Sequence, residues 1–176
     1  MSVSDRSSAR IPWLQIGVET FFVILGVLLA LGLDEWREGQ RDQKVVALAL
    51  QNIRGEIQAN RLEVQRALSH HRDLLRRLEA TPGIGVALKP AMIRNNAWQA
   101  AQSSQAAGHM NFSSVAACSK LEELQGDYQS LLAGVMPSIY RPEDRPSMPL
   151  VLQDLVWFEK KLLEVYGETE RAIPAG

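Results

Sequence analysis

From Thr20 to Leu33 the chain reads "TFFVILGVLLALGL", fourteen residues without a charge, closed by Glu19 before and by Asp34 and Glu35 after. A helix that is apolar all round must be covered on every side, by a protein core or by lipid. Trp13 and Trp36 bracket the stretch at a separation of 23 residues, which is about 34 Å of helix rise. That spans a hydrocarbon layer of about 30 Å and sets an indole near each interface. Pro12 falls in the first turn, where its missing N–H costs nothing. The expectation is a membrane helix over residues 12–35, preceded by a polar, disordered segment over 1–11. Two other readings share the pattern. One is a cleavable signal, with Ala30-Leu31-Gly32 as a small-x-small site, although "DEWREGQRDQKVVALAL" continues as helix former past the cut. The other is a core helix, which would usually keep a polar face.

Arg6 and Arg10 precede the span, whereas Arg37, Arg41 and Lys44 follow it, so nearby basic residues favour neither orientation. A short N-terminus leading into a long domain is the usual signal-anchor arrangement. The N-terminus is therefore expected in the cytoplasm and the bulk of the chain in the periplasm, at a bacterial inner membrane. Glu19 lies near the leading edge of the span, where a carboxylate snorkels, is protonated or finds a partner. Gln15, Glu19, Gly26 and Ala30 follow spacings of 4, 7 and 4 and share one stripe. Gly26-x-x-x-Ala30 lets helices approach closely, and Gln15 with Glu19 can hydrogen-bond across such an interface. The expected partners are the lipid bilayer and either a second copy or another membrane protein.

Beyond Asp34 the sequence is helical in pattern. Heptad position a holds Trp36, Gln43, Leu50, Ile57, Val64, His71 and Leu78; position d holds Gly39, Val46, Ile53, Asn60, Ala67 and Leu74. Nine of these thirteen are apolar, which predicts a long amphipathic helix over 36–80 with a coiled-coil-like seam. Asn60 in that seam would fix the register between helices. "TPGIGVALKP" is the clearest break. Helices are then expected over 90–108, around Trp98; over 114–135, capped by Ser113 or Ser114; and over 148–167, after Ser147. The expected core comprises Leu50, Ile53, Ile57, Val64, Leu74 and Leu78 from the long helix, with Trp98, Leu121, Leu124, Tyr128, Leu131, Leu155 and Leu162 from the others. "MPSIYRPEDRPSMP" is a connector, and 172–176 a tail. The fold expected is all-α: one membrane helix continuing toward a long helix, with three shorter ones completing an antiparallel bundle over 36–171.

Together, "ETFFVILGVLLALGLDEWRE", the long charged helix and "AWQAAQSSQAAGHMNFSSVAACSKLEELQGDYQ" resemble uncharacterised single-span membrane proteins of Gram-negative bacteria. The matching positions are Glu19, Gly26, Ala30, Trp98, Ala101, Gly108 and Tyr128, within residues 15–130. The resemblance implies a membrane-anchored helical domain and carries no activity with it.

Lys plus Arg number 19 and Asp plus Glu 20, and the basic residues are interleaved with acids, so nucleic acid is not an expected partner. Cys118 is the only cysteine, which excludes an intrachain disulfide and a multi-cysteine zinc site. His70 and His71 are adjacent and point about 100° apart on a helix, unlike an i, i+4 ligand pair. No phosphate loop, nucleophile elbow or zinc-protease motif occurs. No catalytic, cofactor or metal residues are therefore expected. The leading expectation is a non-enzymatic scaffold or subunit acting through helix association. The alternatives are an extracytoplasmic sensor of a small ligand working through a partner, and an accessory subunit of a proton-driven complex using Glu19.

Overall fold

The computed structural model describes residues 13–81, 87–139 and 148–174. The expected polar N-terminus, the glycines of the "TPGIG" break, the middle of the proline-rich connector and the last two residues lie outside them, as do the side chains of Trp13 and Gln15. Among the described residues all regular structure is helical: α1 (Trp13–Ala80), α2 (Asn96–Ser103), a short 3₁₀ turn (Ala106–His109), α3 (Phe112–Ile139) and α4 (Met148–Ala172). The chain divides into two compact units, Met1–Asp42 and Gln43–Gly176.

The first unit is the apolar part of α1. Among the described residues it contains the one stretch long and apolar enough to cross a membrane, with a mean hydropathy of 1.9 and none of it buried.

The second unit has a core built on the seam of α1. Ile53, Ile57, Asn60, Val64, Ala67, His71, Leu74 and Leu78 are all buried and recur at 4-3-4-3-4-3-4, the spacing that keeps one face of a helix against its neighbours. Leu121 and Tyr128 of α3, with Leu152, Leu155, Leu162 and Tyr166 of α4, pack into the same interior. Leu50, Leu124 and Leu131 are half-buried against it.

The second helix is much shorter than the expected 90–108. Residues 87–95 form a non-helical strap, because side chains from the longer helices take its backbone groups. Asn60 accepts the Arg94 N–H at 3.1 Å and donates to the Arg94 carbonyl at 2.6 Å. Tyr128 accepts the Ala91 N–H at 3.1 Å. Asn60 thus pairs with this strap, in addition to its place in the seam. After α2 the chain turns through Gln105, whose φ of 62° is left-handed, and ends any continuous helix there.

The ends of α3 and α4 also differ from expectation. Asn111, not Ser113 or Ser114, caps α3: its Oδ1 accepts the Ser114 N–H at 2.8 Å. Ser114 is buried and donates instead to the Ala172 carbonyl at 3.0 Å. α4 runs past Gly167 to Ala172, since its last carbonyls find donors. The Arg54 guanidinium reaches the carbonyls just beyond it, Ile173 and Pro174, both at 2.9 Å.

Candidate functional site

Two regions carry chemistry that packing alone does not account for. The first is the apolar unit. Phe21, Phe22, Val23, Leu28, Leu29, Leu31 and Trp36 are all exposed, and Glu19 is exposed beside them. Leucine and phenylalanine point outward in every direction, so no polar face is available to water. A Cβ added at Gly26 or Gly32 would meet nothing within 4 Å. Gly26 therefore makes room for nothing among the described residues.

The second region is a polar layer inside the helical unit, to which three helices contribute. His71 occupies an a position of α1, Tyr128 the buried stripe of α3 and Glu159 that of α4, and all three are 0% exposed. His71 Nδ1 lies 2.8 Å from Glu159 Oε1, and the Tyr128 hydroxyl donates to the same oxygen at 3.3 Å. His71 Nε2 and Glu159 Oε2 have no hydrogen-bond partner among the described residues. Burial drives the Tyr128 phenol well above its usual range, with the Glu159 carboxylate adding to the effect and the Ala91 N–H opposing it. A neighbouring group joins Tyr166 to Gln125, whose Nε2 donates to the phenol oxygen at 2.9 Å, and to Asn60. Burial pushes Tyr166 up to about 12, against these two hydrogen bonds.

A carboxylate holding an imidazole is the orienting half of a hydrolytic triad. Here no hydroxyl or thiol of the described residues lies within hydrogen-bond distance of His71 Nε2, and no member of the group touches solvent. The layer is thus a fully enclosed polar lock between α1, α3 and α4. No cluster of three His, Cys, Asp or Glu side chains arranged to hold a metal occurs among the described residues.

The remaining singled-out residues fall around it. Trp98 is buried, and its Nε1–H donates to Glu122 at 2.9 Å, so this acid is a partner of the core and not just solvated surface. With Asn60 and Cys118, Trp98 lines a cavity of about 20 Å³, room for roughly one water. Cys118 is buried, and desolvation with the nearby Glu122 carboxylate pushes its thiol up to about 11. His70 leaves the core and bonds the Ala87 carbonyl at 3.0 Å. His71 pairs with Glu159 across to α4.

Glu159, Gln125 and Glu56 were missed as site residues. Glu56 reaches from α1 to accept the Ala97 N–H at 3.1 Å, capping α2 from another helix. A signal for Glu159 existed: the apolar positions 152, 155, 162 and 166 leave one vacant place in their stripe, and a carboxylate fills it. No family model, curated protein or solved structure matches the chain.

Proposed function

We propose that the chain is a single-pass, membrane-anchored helical protein without catalytic activity, acting through helix–helix association as a scaffold or subunit of a membrane complex. The carrying observation is the apolar unit: a helix apolar on every side whose exposed residues are covered by none of the described residues. On this reading lipid takes most of that surface. The Gln15–Glu19–Gly26–Ala30 stripe takes a second copy or another membrane protein, with Trp13 and Trp36 at the two interfaces. The N-terminus lies in the cytoplasm of a bacterial inner membrane, and α1, α3 and α4 form an antiparallel bundle in the periplasm. The small size of the interior cavity beside Trp98 favours association over sensing of an enclosed ligand.

Blue-native electrophoresis of wild type and of Glu19→Leu combined with Gly26→Leu tests the stripe. The substituted protein should run as a smaller species, and an unchanged oligomer would remove the stripe from the reading. Alkaline phosphatase fused to the C-terminus should be active; inactivity, with a fluorescent fusion bright instead, would reverse the orientation.

A further inference from the structure

On the outside of the helical unit, α1 and α4 flank a trough of about 670 Å³. Its α1 wall runs from Gln65 to Arg76, about 16 Å at 1.5 Å per residue. Leu68 and Leu75 of α1 and Val156 of α4 form an apolar floor, and Arg72, Arg76 and Lys160 stand along the rim; no carboxylate is among the lining residues. Among the described residues Arg76 has only an exposed contact with Asp73 at 3.2 Å, a kind of pair that contributes little. Arg72 and Lys160 make no ion pair among the described residues. The buried His71–Glu159 contact links the same two helices at 2.8 Å, so the walls of the trough are clamped from beneath.

We propose that this trough is the docking site for an acidic amphipathic helix of a partner protein. A groove between two helices is the seat that a third helix fills, laying apolar residues at i, i+3 and i+4 onto the floor. Arg72 and Arg76 stand one turn apart, the spacing at which two carboxylates at i and i+4 of the incoming helix lie side by side. Lys160 meets the opposite flank of the same helix. Three cations around an apolar strip are thus complementary to an acid-flanked apolar stripe. A single-chain anionic amphiphile fits less well, because its one head would leave two cations unpaired and the open trough would leave its tail wet. The proposal is independent of the membrane stripe, which lies in the other unit.

The test uses the full chain in nanodiscs of neutral lipid. The probe is a labelled synthetic helix of about 20 residues carrying a leucine stripe flanked by glutamates at i, i+4, with a scrambled peptide of the same composition as control. Fluorescence anisotropy, corrected against empty discs, reads the affinity. The amphipathic peptide should bind at least tenfold more tightly than the scramble. Arg72→Glu with Lys160→Glu, both exposed and unpaired positions, should weaken binding by about tenfold, and a lysine-for-glutamate peptide should recover it on that variant. Equal binding of the scramble, or indifference to the charge reversal, would overturn the proposal. So would displacement of the peptide by dodecanoate at equal concentration, which assigns the trough to a small amphiphile. Loss of self-association in the charge-reversed chain would also overturn it, by making a second copy the occupant.

Discussion

His71 of α1 and Glu159 of α4 meet at 2.8 Å with both side chains fully buried. Such a pair contributes little net stability, because desolvation of both groups offsets their attraction, yet removing one partner leaves the other buried and uncompensated. We expect His71→Ala and Glu159→Ala each to destabilise the helical unit by about 3–5 kcal/mol. His71→Leu combined with Glu159→Met should return to within about 1 kcal/mol of wild type or exceed it. Urea unfolding followed by circular dichroism measures all three. A double variant as unstable as the single ones would show that the pair is favourable in itself.

Asn60 makes two hydrogen bonds to one residue's backbone, the N–H and the carbonyl of Arg94, besides its hydrogen bond with Tyr166. Asn60→Ala strands both groups and Asn60→Asp only the carbonyl, at about 1 kcal/mol for each, the low end for an unpaired group because both bonds are part-buried. The strap 87–95 should then exchange its amide hydrogens faster, with α3 and α4 affected less. Hydrogen exchange that rises evenly through the whole unit would mean that Asn60 supports the fold globally and not the strap.

The seam of α1 was legible because its signal is local and repeated. Once the heptad phase is set at Ile57 and Val64, the positions of Asn60, His71 and Leu78 follow. The shape of 87–109 was not legible. Its backbone is satisfied by side chains distant in sequence: Asn60 for Arg94, Tyr128 for Ala91, Glu56 for Ala97. Local propensity sees Pro90 and a run of alanines and continues a helix. The true end of α4 was hidden in the same way, since Gly167 is a strong local stop signal and the donors that override it, Ser114 and Arg54, lie far upstream. The polar lock was half legible. His71 stood in an apolar seam and Glu159 in an apolar stripe, but nothing local says that two such places face each other.

Gln105 is the one non-glycine among the described residues with a positive φ, at 62°. Its side chain makes no cap hydrogen bond to offset the left-handed strain, which is about 1–2 kcal/mol for an L-residue. Gln105→Gly should therefore stabilise the unit by about 0.5–1 kcal/mol once the greater freedom of glycine in the unfolded chain is subtracted. Gln105→Val should destabilise it. A rise in the urea midpoint for glycine and a fall for valine is the expected result; the same direction for both would place the constraint elsewhere than in the backbone.

Cys118 ties the core to alkaline pH. Its thiol shifts from 9.0 to about 11 through burial, with the Glu122 carboxylate adding to the effect. Between those values the unfolded chain releases a proton that the folded chain keeps, so rising pH favours unfolding. The stabilising contribution is whole below pH 9 and fades as pH climbs through about 11. Tyr166, moved from 10.0 to about 12 by burial, extends the slope upward. We expect the urea midpoint to fall steadily above pH 9, with Cys118→Ala removing the first part of the fall and leaving the tyrosine part. A second readout is thiol reactivity. At pH 8 the shift alone lowers the thiolate fraction by about 100-fold, so a disulfide reagent should label folded Cys118 at least that much more slowly than the urea-unfolded chain. Comparable labelling rates in the two states would show that the thiol is open to solvent, and that the interior beside Trp98 opens far more readily than its packing implies.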